Sequence, residues 1–254
     1  MMRALLLLSL LLVAPRLAAQ SAAPPAQRDG DVRIRYATRA GVCGYPTSNG
    51  IRVGSDSYGQ VFAGRGRAPD ECREGPAVVT VRLAAGRATR VDLRVGWPEL
   101  EAPAEALTPA AAADYLLSLS ERATSRAAER LVRAAALADA EVWPRLLELA
   151  RRDSGDASRA SYLWLSILAG WHVTQASARS AVTADDIEVR RHAIFAVSQR
   201  PRSEALPALT QIARANPEPE LRRTALFWLG QTHEPSVLDL FEAILRSAPA
   251  SRRD

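Results

Sequence analysis

Two cysteines, Cys43 and Cys72, are the only side chains here suited to covalent redox chemistry. An even count favours a disulfide in an oxidising compartment. Such a bridge closes a loop of about 30 residues and stabilises by roughly 3–4 kcal/mol by restricting the unfolded chain. Two free thiols or half of a metal site are the alternatives, and neither CxxC nor clustered His accompanies the pair. The three histidines, His172, His192 and His233, could ligate a metal or titrate near neutrality. None lies in HExxH or beside a cysteine, so a structural or surface role is expected, with no metal and no cofactor. Ser, His and Asp are all present, but no G-x-S-x-G elbow exists, and no residue set reads as a catalytic centre. Gly64-Arg65-Gly66-Arg67 has the glycine and charge of a phosphate loop without the GK[ST] ending, and reads as a flexible loop.

The remaining chemistry is ionic. Acid–arginine pairs recur three residues apart at Asp156/Arg159, Glu188/Arg191 and Glu220/Arg223. They read as pairing within a helix, with the acids favoured near its N-terminus, rather than as a ladder for an acidic partner. Arg151, Arg214 and Arg246 recur at helix C-termini, where a cation opposes the helix dipole. All 33 basic residues are arginine. With the many alanines, this points to a high-GC bacterial genome rather than to a binding function. The net charge of +5 falls to +3 once Arg3 and Arg16 are removed with the leader described next, too small an excess to imply nucleic-acid binding.

These residues need elements to hold them. Met1 to Ala19 follows the charged, apolar and small-residue plan of a secretory signal peptide, and its apolar run is too short to span a bilayer. A soluble periplasmic or secreted protein is expected, with no stable membrane insertion after cleavage. Residues 20–30 form a Pro-containing disordered lead. Alternation of Val32, Ile34 and Tyr36 with Arg33 and Arg35 predicts a half-buried strand. Ile51–Val53 and Gln60–Phe62 are short strand candidates. Val78–Leu83 and Ala88–Val95 predict a hairpin turning at Gly86. Residues 31–98 thus read as a small β domain whose thin core gives a disulfide a structural role. Residues 99–107 read as a linker. Thr108-Pro109, an N-cap followed by Pro at the first helical position, opens a helical region over 108–250.

That region repeats. Residues 189–214 set against 221–246 agree at eight of 26 positions, among them Arg190/Arg222, Arg191/Arg223, Ala193/Ala225 and Phe195/Phe227. The same frame extends upstream and gives four units, starting near 125, 157, 187 and 219. Thr174 to Val182, the second helix of the second unit, is Ser/Thr-rich and degenerate. Leu221, Ala225, Trp228 and Leu229 share one helical face, and units with such faces must stack to bury them. Trp164 and Trp228 occupy equivalent slots as expected core anchors. Trp171 has no counterpart, and reads equally as a recognition feature or as drift.

The runs Glu188-Val189-Arg190-Arg191-His192-Ala193 and Glu220-Leu221-Arg222-Arg223-Thr224-Ala225, with Leu206-Pro207-Ala208-Leu209 opening a second helix, resemble the HEAT-repeat family. The likeness is to its short bacterial form, the type of the phycobilisome-lyase-like repeats, and covers about residues 125–247. It implies an α-solenoid after the β domain, and a non-catalytic scaffold that binds a protein or peptide partner. The second helices, after Trp143, Arg202 and Pro235, would line its concave surface. A hydrolase or lyase, or a structural envelope component, are the alternatives. The β domain carries no comparable resemblance.

Overall fold

The computed structural model describes residues 25, 29–46, 50–53, 60–61, 72–98, 102–152, 155–175 and 184–247. The expected signal segment, the Gly64–Arg67 loop and most of the degenerate stretch after Gln175 lie outside the described residues.

The first strands form where apolar and charged residues alternate. β1 (Gly30–Tyr36) pairs antiparallel with β6 (Ala77–Ala84), which pairs antiparallel with β7 (Arg87–Val95). Ile34, Tyr36, Val79, Val81, Val91 and Leu93 lie on one face and are buried. The β6–β7 turn is Ala85-Gly86, both with positive φ (50° and 69°), the signature of a type I′ hairpin turn. Asp29 supports it, its carboxylate accepting the N–H groups of Ala85 and Gly86. β2 (Val42–Gly44), β3 (Ile51–Val53), β4 (Gln60–Val61) and β5 (Arg73–Glu74) make a second sheet in the order β4-β3-β2-β5.

Part of the expected linker is strand. β8 (Glu105–Ala106) adds parallel to the free edge of β1, and the Leu107 N–H donates to the Arg35 carbonyl. The larger sheet therefore runs β7-β6-β1-β8. Its other edge is covered by α2 (Ser125–Ala136): Arg130 donates to the Val91 carbonyl, and the N–H of Thr124, the α2 N-cap, donates to the Ala88 carbonyl. Satisfying edge carbonyls in this way removes a template for strand addition.

Eight helices follow among the described residues. α1 (Pro109–Ser120) starts as its sequence predicts, with Thr108 Oγ1 accepting the Ala111 N–H. After α2 come α3 (Trp143–Arg152), α4 (Asp156–Gln175), α5 (Ala184–Ser198), α6 (Arg202–Ala215), α7 (Pro219–Thr232) and α8 (Pro235–Arg246). The core does not divide between sheet and helices. The inner sheet face, Leu107, and the buried sides of α1, α2 and α4 form one continuous cluster. Tyr36 Oη donates to the Ala134 carbonyl across it at 2.7 Å.

Helix packing departs from stacking in chain order. α4 is the central helix, packed on α2, α3, α7 and α8, and α7 rather than α5 is its chief downstream neighbour. Gly170 faces Arg223, Gly230 faces Ser166 and the Tyr162 carbonyl, and the Tyr162 ring meets His233. As one number rises the other falls, so α4 and α7 run antiparallel. The two glycines allow the close approach. α5 and α6 pack on α7, and α8 turns back onto α3 and α4. No helix of the described residues is long and apolar enough to cross a membrane.

Candidate interaction surface

The two cysteines meet. Cys43 on β2 and Cys72, just before β5, are joined by a disulfide with a Cα–Cα distance of 5.4 Å. The bond ties the two strands of a sheet whose strands are only two or three residues long, which is where a covalent clamp adds most to a thin core.

The histidines stand apart. His172 ends α4, where burial lowers its pKa. His192 is exposed on α5. His233 caps α7 in the left-handed conformation (φ 54°) and sits edge-on to Tyr162, with centroids 5.6 Å apart. Burial, then Arg159 and Arg202, hold its pKa below the usual imidazole range. Among the described residues no group of three or more His, Cys, Asp and Glu could hold a metal ion.

Of the recurrent acid–arginine pairs, Asp156–Arg159 closes within its helix. Arg191 reaches across to Glu220, joining α5 to α7, and the side chain of its expected partner, Glu188, lies outside the described residues. Arg191 thus holds a bond between successive units. Arg151, at the end of α3, takes Asp239 and Glu242 on α8, so it holds a tertiary contact as well as opposing a dipole. Of the three second helices expected to share one surface, α3 and α8 adjoin, whereas α6 packs against α7.

The two equivalent tryptophans part company. Trp164 is 2% exposed within α4. Trp228 is only partly buried, because its face of α7 meets α5 rather than a full layer of neighbours. There its ring lies tilted against Phe195, centroids 5.1 Å apart, and edge-on to Phe227 at 5.2 Å. Phe195 is 45% exposed, the one large apolar side chain so exposed among the described residues. The aromatic group thus presents an apolar surface on two adjacent repeat units, beside the Arg191–Glu220 bridge. Phe195 aligns with Phe227 in the repeat, yet it is the more exposed of the two.

Trp171 has a structural explanation. The Arg39 guanidinium lies over its ring, 5.7 Å from the centroid, and donates to the carbonyls of Ala138 and Ala140 at 2.9 Å each. Burial pulls this arginine down to about 10, with Asp139 opposing. This clasp between the β region and α4 was not legible in the sequence, since nothing local distinguishes Arg39 from the exposed arginines near it.

Residues 176–254 match the family model for HEAT repeats. The match takes in the units near 187 and 219, and the chain therefore carries a HEAT-repeat region after a small disulfide-bridged β region. No curated protein and no solved structure matches the chain.

Proposed function

We propose that this protein is an exported, non-catalytic scaffold that holds a protein or peptide partner on its HEAT-repeat helices. The observation that carries the reading is the aromatic group of Phe195, Trp228 and Phe227, partly open to solvent within the segment that matches HEAT repeats. HEAT repeats generally mediate contacts between proteins, and aromatic side chains are enriched among the residues that dominate binding energy. The contacting rings form a preorganised apolar platform, and the Arg191–Glu220 bridge ties the two helices that carry it. The repeats are read as a short solenoid whose units 187 and 219 form the partner-facing end. The disulfide supports the assignment to an oxidising compartment, outside the cytoplasm.

The test uses the full-length chain. A photo-crosslinking amino acid at Phe195 should capture one discrete partner in cells, and the same group at Arg200, exposed on the turn after α5, should not. Substituting Phe195→Ser should abolish capture of that partner on co-purification while leaving thermal unfolding unchanged. Equal capture from both positions, or partner binding undiminished by Phe195→Ser, would place the binding surface elsewhere.

A further inference from the structure

The chain's positive charge is unevenly placed. Residues 31–98 hold eleven arginines against six carboxylates, whereas residues 108–254 hold nineteen against eighteen. Five of those eleven stand on the outer face of the larger sheet. The strand registers align three rows across β1, β6 and β7: Asp31, Arg82, Arg90; Arg33, Thr80, Asp92; Arg35, Val78, Arg94. Side chains alternate along a strand, so all nine project away from the face that packs on α1 and α2.

The two aspartates neutralise part of the grid. Asp31 accepts two bonds from Arg82, at 2.8 and 2.9 Å, and Asp92 accepts one from Arg90 at 2.9 Å. The Arg82 bond holds the Asp31 carboxyl below its usual range, so it stays ionised. Arg94 donates to the Pro46 carbonyl. Arg33 and Arg35 take part in no ion pair among the described residues. All of the grid except Arg35, together with Ala102, lines a depression of about 460 Å³.

We infer that this face docks an extended acidic peptide segment of a partner, with alternate Asp or Glu carboxylates received by Arg33 and Arg35. Same-side residues on a strand repeat at about 6.7 Å, which is also the spacing of alternate side chains in an extended peptide laid along it. Guanidinium groups meet carboxylates through two parallel N–H bonds, a geometry that a lysine-bearing face would lack. The depression beside Arg33 suits a chain with small residues between its acids. An anionic membrane is the less suitable occupant: the face is concave, and the large exposed apolar side chain, Phe195, lies on α5 rather than here. This surface is separate from the aromatic group on α5 and α7, and neither reading depends on the other.

The experiment measures anisotropy of a dye-labelled, end-blocked peptide of alternating Glu and Ser with the full-length oxidised protein, beside its Gln–Ser twin and vesicles of phosphatidylglycerol. The Glu peptide should bind and the Gln peptide should not, and affinity should fall as salt is raised, since the charges are exposed. The pair Arg33→Glu and Arg35→Glu together should weaken binding at least about tenfold, and Arg200→Glu, remote from the sheet, by less than about twofold. Arg33→Gln with Arg35→Gln, checked for unchanged thermal unfolding, should reproduce the loss without reversing charge. Absence of Glu-peptide binding, equal binding of the Gln peptide, equal loss with Arg200→Glu, or binding to vesicles in preference to peptide would each overturn the proposal.

Discussion

Replacing Gly230 by Ala tests the antiparallel packing of α7 on α4, the feature of the fold least expected from stacking in chain order. A Cβ built on Gly230 lies 2.5 Å from the Ser166 Cβ and 3.1 Å from the Tyr162 carbonyl oxygen, with the Ser166 hydroxyl in the way as well. Ser166 cannot swing aside, since it is 1% exposed and its hydroxyl donates back to the Leu163 carbonyl. Carbon contacts prefer at least about 3.5 Å, so the helices must part by about 1 Å. Overpacking of this kind costs about 1–3 kcal/mol, and the gain from removing a mid-helix glycine returns about 0.5–1. With one obstructing atom on the backbone and the others on a buried side chain, the net loss should be about 1–2 kcal/mol, read as a lower urea midpoint at unchanged slope. Gly155→Ala is the control: its Cβ would meet nothing within 4 Å, so stability should hold or rise by up to about 0.5 kcal/mol. Adding Ser166→Gly to Gly230→Ala removes the obstruction, and the double-mutant cycle should show a favourable coupling of at least about 0.5 kcal/mol. A Gly230→Ala protein as stable as the parent, or a cycle with no coupling, would refute the α4–α7 pairing.

Trp164→Ala should cost about 3–5 kcal/mol in equilibrium unfolding, whereas Trp228→Ala should cost under about 2, because Trp228 is only partly buried. Equal losses would mean that the α5–α7 layer is covered in solution. The oxidised protein should have a mass about 2 Da below the reduced one and show no thiol titre, and reduction should lower unfolding free energy by about 3–4 kcal/mol for a loop of 29 residues. Two titratable thiols in the folded protein, or coincident urea curves before and after reduction, would rule the bridge out.

What the sequence carried was what local spacing can encode. Alternation of Val32, Ile34 and Tyr36, the turn at Gly86, the Thr108-Pro109 cap and the doubled unit at 187 and 219 all reappear as elements. Partner choice was less legible because it depends on the third dimension. Arg191 bonds Glu220, 29 residues away, and only the placement of α5 beside α7 brings that acid within reach. Equivalent repeat slots predicted equal burial for Trp164 and Trp228. The first is enclosed within α4, which packs on α2, α3, α7 and α8, and the second lies on α7 against the half-exposed Phe195 of α5. Glu105 and Ala106 have nothing strand-like about them. They form β8 because β1 offers an unpaired edge, and backbone groups there gain hydrogen bonds whatever their side chains. The arginine grid was hidden by averaging, since a near-neutral helical region diluted the charge of the β region across the whole chain.

The bond from Tyr36 to the Ala134 carbonyl spans 98 residues, and those from Arg39 to the carbonyls of Ala138 and Ala140 span 99 and 101. Contacts of such long sequence separation carry a loop-closure cost before any return, and they slow folding. A chain made from its N-terminus at about 5–20 residues per second presents β1 some 5–20 s before α2 can meet it. Throughout that interval Ile34 and Tyr36, and then the hairpin face of Val79, Val81, Val91 and Leu93, have no helices to cover them. Without α1 and α2, the β segment therefore exposes the apolar face that they cover in the folded chain. Packing of α1 and α2 closes the core and withdraws that surface.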